Sequence, residues 1–403
     1  MSSLVNWLYV DFNSYFASVE QHLNPKLRHK PIAVVPMKTD STCVIAASYE
    51  AKKFGIKTGT MVGDAKKMCP GLILITGDHV EYVKFHKKLI EVIESCHPVA
   101  GVMSIDEVSC ALGGRDRNLK NAIELSHEIK QKIYKEVGES FSCSIGLAPN
   151  RFLAKVASDM QKPNGLTYIL PEEIPHKLYR LQLRDLIGIG HNMEVRLNRH
   201  GVYSVEKLYT LSIHELRSVW GGVGGERFYK WLRGEDLNLT FRENQSISHQ
   251  HVLPPDKRNA QGVYLIGQKL LNKAAVRLRK INAWARHLSV AVKYTDRTYW
   301  WNELKMSECQ DTFSLQEAFD QLWTTFRHQG APMKITVALT QLIEDDERNF
   351  SFFDNSARIQ LSYIMDKVNA KYGKNTLYLG SIHEALDSAP MRISFSSIPD
   401  VEI

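Results

Sequence analysis

Apolar positions along the first 170 residues alternate between strand-like and helix-like periods. Residues 4–10 form an aliphatic and aromatic run that stops at Asp11, and 13–23 then repeat apolar positions at helical spacing until Asn24-Pro25. A short buried strand is predicted at 31–35. The spacing of Tyr82, Val83, Phe85, Leu89, Ile90, Val92 and Ile93 predicts a helix over 81–96. Strand-rich stretches at 99–112 and 141–147 enclose a helical pattern at 119–137. Strands joined by long helical connections indicate an α/β layer, not an all-helical bundle. After Lys162-Pro163-Asn164-Gly165 the texture changes: 171–243 carries short helical segments broken by Gly188, Gly190, Gly201, Gly221, Gly222, Gly224, Gly225 and Gly234. Residues 242–256 are polar, end in Pro254-Pro255-Asp256, and read as a linker. Helices at 267–281 and 315–328, with strands at 287–294 and 333–342, form a compact α+β module. The last 60 or so residues are loosely patterned.

Composition adds size and partner class. The 403 residues are 44% hydrophobic and 24% charged, enough for several packed domains. Six cysteines are scattered without a CxxC pair, which excludes a zinc ribbon and a disulfide-built scaffold and suggests a reducing compartment. The start lacks the pattern of a signal peptide, and no apolar run approaches the ~20 residues a membrane span needs. The expectation is a cytoplasmic protein with no membrane partner. Net charge is only +7, but it is unevenly spread. Residues 244–343 hold 13 Lys+Arg against 7 acids, and no acid interrupts 257–293, whereas 344–403 is net negative. Lys269, Lys273, Arg277 and Lys280 share one helix face, with Leu270, Leu271, Ala274 and Leu278 elsewhere on the wheel. Like charges at i, i+4 weaken an isolated helix by roughly a few tenths of a kcal/mol per pair, a cost that an anionic partner offsets.

Three acids sit among apolar residues. Asp11 ends one hydrophobic strand, and Asp106-Glu107 lie within another. If the three converge they repel one another, and a pair of hard divalent ions would remove the repulsion. Adjacent strand residues point to opposite faces, so Asp106 and Glu107 can share a site only at a strand end, bulge or turn. From spacing alone, ordinary strand-end charges are the somewhat favoured reading.

Several motifs appear together and in order: residues 10–20 (VDFNSYFASVE), 47–55 (ASYEAKKFG), 104–107 (SIDE), 146–155 (GLAPNRFLAK) and 158–165 (SDMQKPNG). In this combination the chain resembles the Y-family (translesion) DNA polymerases of the bacterial UmuC/DinB type. The resemblance covers residues 1 to about 345 well. It implies an α+β polymerase right hand with a mixed-sheet palm (1–24 and 82–168), small fingers (25–81), a helical thumb (169–242), an α+β little finger domain (243–345) and a tail (346–403).

The resemblance also implies roles. Asp11, Asp106 and Glu107 would hold two Mg²⁺ ions, with the Phe12 carbonyl as a further ligand. Phe16 would be the steric gate beneath the sugar. Tyr49, Lys52 and Lys162 would hold the incoming dNTP, and Lys155 is a weaker candidate, for the palm or template side. Lysine at position 52 replaces an arginine common in the family and loses its planar fork, which alters the grip on the triphosphate. Leu186-Ile187-Gly188-Ile189-Gly190 resembles a helix-hairpin-helix, whose Gly188 and Gly190 would approach DNA phosphates; by itself such a pair could equally be an inter-helix turn. The basic helix would grip primer-template DNA. In the tail, Asn349-Phe350-Ser351-Phe352-Phe353-Asp354 resembles a peptide that docks on the sliding clamp, and 366–380 resembles the end of UmuC-like proteins, so a UmuD-like subunit is a further expected partner. His249 and His251 read as plain linker histidines.

The implied activity is error-prone, template-directed DNA synthesis in DNA repair, in the cytoplasm at the nucleoid. Two alternatives compete. A non-catalytic accessory protein of the same fold would lose metal carboxylates, and a palm-type nucleotidyl cyclase would need neither the basic module nor the helix-hairpin-helix.

Overall fold

The computed structural model describes residues 4–237, 246–327, 330–348 and 355–389. The chain divides near residue 240 into two units.

In the first unit, β1 (Trp7–Phe12) leads into α1 (Tyr15–Leu23). Next come β2 (Ile32–Val35), β3 (Ala46–Ala47), α2 (Tyr49–Lys52), α3 (Val62–Met68) and β4 (Ile73–Thr76). They form a small layer with its own core, ordered β3-β2-β4. Helix α4 (His79–Glu94) returns the chain to β5 (Gly101–Ser104) and β6 (Glu107–Ala111). The elements α5 (Leu119–Lys132), β7 (Cys143–Ala148), α6 (Arg151–Met160) and β8 (Leu166–Tyr168) complete a five-stranded palm sheet ordered β5-β6-β1-β7-β8. Only β7 and β8 pair in parallel, so the sheet is mixed.

The two-residue period of β1 assigns its faces. Leu8, Val10 and Phe12 enter a core shared with α1, α4 and α5, while Trp7 and Tyr9 pack with α6. Asp11 follows the second set and therefore faces α6. Helix α6 lies very close to β7: a Cβ on Gly146 would stand 1.9 Å from the Ala154 carbonyl oxygen, so only glycine permits this approach.

The helical thumb follows, with α7 (His191–Arg199), α8 (Val205–Thr210), α9 (Ile213–Trp220) and α10 (Val223–Leu232). Its leucines share a core with Leu153, Val156 and Ala157 of α6. Gly221 ends α9 in the left-handed region and Gly222 precedes α10, while Gly224 and Gly225 lie within that helix.

The second unit begins with β9 (Ser246–Val252), then α11 (Ala260–Lys280), β10 (Ala283–Tyr294), β11 (Tyr299–Cys309), α12 (Thr312–Trp323) and β12 (Pro332–Thr340). The sheet is antiparallel, ordered β11-β10-β12-β9, with α11 and α12 packed into its core. The linker expected at 242–256 is corrected here, because Ser246–Val252 pairs with residues 334–340 of β12. Its sequence reads as polar because Ser246, Ser248 and Gln250 occupy an exposed face, while Ile247 alone is a large apolar residue turned inward. His249 and His251 are thus strand residues, opposite Val337 and Ile335. The loosely patterned tail contains α13 (Ser356–Tyr372) and a 3-10 turn at Gly380–Ala385, both against the second unit. The expected clamp peptide with Phe350, Phe352 and Phe353 lies outside the described residues.

Candidate active site

The geometric objection to Asp106 and Glu107 sharing a site is resolved by a tight turn. β5 ends at Ser104 and β6 begins at Glu107, so Ile105 and Asp106 make the turn itself, beside an irregularity in the β5–β6 pairing. Glu107 lies directly opposite Asp11 in the β1–β6 register, and the Asp106 carbonyl accepts the Phe12 N–H at 2.8 Å. The Ser104 hydroxyl donates to the Asp106 carboxylate at 2.6 Å. Behind the turn, His86 of α4 hydrogen-bonds the Ile105 carbonyl at 2.8 Å. Burial lowers the His86 pKa, which favours the neutral ring as the donor.

Asp11 is only 5% exposed. The Lys155 ammonium on α6 contacts Asp11, Glu107 at 2.8 Å and Asp159 at 3.0 Å. Lys162 reaches Asp11 at 2.7 Å and Asp159 at 2.8 Å. The Tyr9 hydroxyl donates to Glu107 at 3.1 Å. Burial alone would lower the Lys155 pKa, but Asp11, Asp159 and Glu107 together raise it. Asp106 is raised by burial, opposed by the Ser104 hydrogen bond and reinforced by the Asp11 and Glu107 charges. The carboxylates thus gather around a cation, and that cation is a lysine.

The donor set suits a hard divalent ion in its chemistry, with carboxylates and a strand-end carbonyl at Phe12. Among the described residues no three Asp, Glu, His or Cys side chains close around a single point as they stand. Lys155 holds the space between Asp11 and Glu107, so an ion there requires the ammonium to withdraw.

Of the candidate nucleotide residues, Tyr49, Lys52 and Lys162 lie about the same centre. Lys52 sits 4.3 Å from the Tyr49 ring centroid. Burial and then the Lys162 charge lower Lys52, while Asp11 opposes them, so these groups share one electrostatic neighbourhood. Burial and the Asp11 charge push Tyr49 up to about 12. Phe16, 8% exposed, stacks on Tyr82 with centroids 4.5 Å apart.

Sequence reading assigned no role to Asp159, Tyr9, Asn13, Ser144 or Lys130. Asp159 was detectable in principle, since Lys155 and Lys162 stand four residues before and three after it on one helical flank. Asn13 and Lys130 act through backbone contacts that no residue pattern encodes. Lys130 donates to the Asn164 carbonyl and the Gly165 carbonyl, each at 2.7 Å, bracing the loop that carries Lys162.

In the thumb, Gly188 adopts φ +88 in the loop before α7, and Gly190 is the residue that precedes that helix. The left-handed φ is the reason glycine is required at 188.

The basic helix needs correction. Leu270, Leu271, Ala274 and Leu278 are buried as expected, but Lys269 is only 6% exposed and donates to the carbonyls of Ala385, at 2.9 Å, and Leu386. Lys273, half-buried, donates to the Ala389 carbonyl. The returning C-terminal segment covers this part of the supposed open face, and sequence periodicity had no means of showing that return. Arg277 is half-buried and Lys280 exposed.

Comparison with known proteins fixes the class. The profile of the impB/mucB/samB family matches residues 10–159, and that of its C-terminal domain matches 244–352. A profile described as DNA polymerase-iota, thumb domain, matches 184–236. A DNA polymerase IV of Moorella thermoacetica is 30% identical over 390 residues, covering 94% of this chain and 96% of that protein. DNA polymerase IV 1 of Bacillus subtilis is 27% identical over 405 residues, covering 96% and 95%. Among solved structures, a Y-family DNA polymerase chimera, Dbh-Dpo4(243-245)-Dbh, gives a TM-score of 0.71 at 26% identity over 84% of this chain and 99% of that one. An insertion ternary complex of Dbh DNA polymerase gives 0.58 at 26% identity, with the same coverage. The chain belongs to the Y family of DNA polymerases. It is a DNA-directed DNA polymerase of the translesion class, and the family in general depends on divalent metal.

Proposed function

We propose that this polymerase extends primers by two-metal nucleotidyl transfer at Asp11, Asp106 and Glu107, in error-prone synthesis across damaged templates. The observation that carries the reading is the convergence of Asp11 and Glu107, set opposite in register, on the Lys155 ammonium beside Lys52 and Lys162. Two Mg²⁺ ions held by the three carboxylates and the Phe12 carbonyl would lower the pKa of the primer hydroxyl and neutralise charge on the leaving pyrophosphate. The protein's own contribution is positional. Tyr49, Lys52 and Lys162 would bind the triphosphate, and Phe16, which stacks on Tyr82, would be the ring beneath the sugar that excludes a 2′-hydroxyl. With ions held there Lys155 would have to give up Asp11 and Glu107, and Asp159 is the contact it could keep.

Gly188 and Gly190, with Arg277 and Lys280, belong to the proposed DNA grip. Docking on a sliding clamp through Phe350, Phe352 and Phe353, and pairing with a UmuD-like subunit, belong to the same proposal and rest on the sequence resemblance.

Primer extension with Mg²⁺ on undamaged and abasic templates tests this reading. Wild type should extend both, and the Asp106→Ala, Glu107→Ala double variant should extend neither. Extension by that variant at the wild-type rate would remove these carboxylates from the reaction.

A further inference from the structure

Trp7, Tyr9 and Asp11 share the face of β1 that meets α6. Tyr9 belongs to a cluster with Leu153, Ala154 and Ala157 of that helix and is 4% exposed. A phenylalanine would fill the same space. A hydroxyl taken out of water costs free energy unless it finds a partner, so its presence here asks for one.

The partner is Glu107. In register Tyr9 stands opposite Ser109, and Glu107 comes two residues before Ser109 on β6. The two side chains are therefore diagonal neighbours on one face of the sheet, within reach for a tyrosine and a glutamate. The Tyr9 hydroxyl donates to Oε2 of Glu107 at 3.1 Å.

The oxygens of the facing carboxylates are divided unequally. On Glu107, Oε2 takes the phenol and Oε1 takes the Lys155 ammonium at 2.8 Å. On Asp11, Oδ2 meets Lys155 and Oδ1 meets Lys162. Three of these oxygens thus face cations and one faces a neutral donor. A divalent ion competes with an ammonium for the same negative charge, and a lysine can swing aside on its flexible stem. The Tyr9 ring is packed between strand and helix, so its hydroxyl stays in place. Asp106 has a comparable neutral donor of its own in the Ser104 hydroxyl, at 2.6 Å.

We propose that Tyr9 is a positioning residue for the polymerase reaction: its hydroxyl pins Oε2 of Glu107 and leaves Oε1, where Lys155 now sits, as the oxygen that meets a divalent ion. The proposal rests on the reading of Glu107 as a metal carboxylate. The terminal torsion of a glutamate is broad and roughly two-fold, so without the hydroxyl the carboxylate turns and offers either oxygen. Loss of such an outer donor typically costs about 10–100-fold in metal affinity or activity.

Tyr9→Phe in the full chain tests this, because it removes one oxygen and keeps the ring. Mn²⁺ alone, without DNA or nucleotide, is titrated and the free ion followed by its EPR signal. Tyr9→Phe should bind Mn²⁺ at least about tenfold more weakly than wild type, with an unfolding temperature in EDTA within about 4 °C of it. In single-turnover insertion on primer-template DNA, the maximal rate should fall at least about tenfold, while the dNTP concentration giving half that rate stays within about twofold.

The Glu107→Ala background separates positioning from packing. There, Tyr9→Phe should change residual Mn²⁺ binding and rate by no more than about twofold. Equal losses in both backgrounds would make Tyr9 a packing residue and overturn the proposal. Wild-type Mn²⁺ affinity and rate in Tyr9→Phe, with both lost in Glu107→Ala, would overturn it too and leave the reading of Glu107 standing. Full Mn²⁺ binding and insertion by Glu107→Ala would overturn that reading and the proposal together.

Discussion

The Asn13 side-chain oxygen accepts the backbone N–H of Asn164 at 2.8 Å, joining the end of β1 to the loop that carries Lys162. The same amide donates to the Ser144 hydroxyl at 3.1 Å, and Ser144 accepts the Gly165 N–H at 3.2 Å. Asn13 is buried, so its polar atoms have these partners in place of water. A buried amide that touches neither Asp11 nor Lys162 thus ties together the two segments that carry them.

Asn13→Ala should loosen that loop. Loss of the bond from the part-buried Asn164 N–H, together with the Ser144 contact, should cost about 1 kcal/mol, seen as a lower unfolding temperature. Misplacement of Lys162 should raise the KM for dNTP roughly tenfold or more. A KM equal to wild type, with stability reduced, would restrict Asn13 to a structural role.

Lys155→Met removes the counter-charge that three carboxylates share. In EDTA the variant should be destabilised by about 3 kcal/mol, since the acids are left facing one another. Mg²⁺ should raise its unfolding temperature by more than it raises that of wild type, and Mn²⁺ should bind more tightly, because no ammonium has to be displaced. Calorimetry with and without EDTA, together with Mn²⁺ titration, measures both. Weaker Mn²⁺ binding by the variant would contradict the exchange of lysine for metal.

Phe16→Ala opens the space that the ring and Tyr82 close. The ratio of ribonucleotide to deoxyribonucleotide incorporation should rise at least about tenfold, the effect of relieving ~1.4 kcal/mol of clash. Single-nucleotide insertion kinetics give the ratio directly, and an unchanged value would take Phe16 out of the gate role.

In the second unit, Arg279 is buried and forms a two-bond pair with Asp366 at 2.6 and 2.9 Å, its remaining nitrogen donating to the Gln310 carbonyl and the Thr312 hydroxyl. Asp366→Ala strands this guanidinium and should cost about 3–5 kcal/mol. Arg279→Met combined with Asp366→Leu should recover most of it. Chemical denaturation of the full chain, following the transition of this unit, checks both values.

His249 lies inside the sheet's packed face. Burial, then the charges of Lys273 and Arg277 on α11, lower it to about 4. An unfolded imidazole titrates near 6.5, so on acidification the unfolded state takes up the proton first. The stability that neutral His249 contributes is complete above pH 6.5 and is lost as pH falls toward 4, by at most about 3 kcal/mol. His249→Gln should flatten the acid limb of the stability profile between those values. An equally steep limb would assign the effect to other groups.

The sequence by itself determined the local elements, because strand period and turn composition are local properties of the chain. It was the resemblance carried by the run ending at Asp11, the Ser104–Glu107 motif and the Lys162–Gly165 turn that pointed to a palm and its carboxylates. Tertiary structure decided which charges face which. Lys155 could have been a surface charge, and only the close approach of α6 to β7 at Gly146 brings it between Asp11 and Glu107. Lys269 and Lys273 lie on the expected helix face, yet a segment more than a hundred residues later covers them. Ser246–Val252 reads as a linker until β12 supplies its hydrogen bonds. In each case the deciding contact joins residues far apart in the chain, and composition and periodicity report only on neighbours.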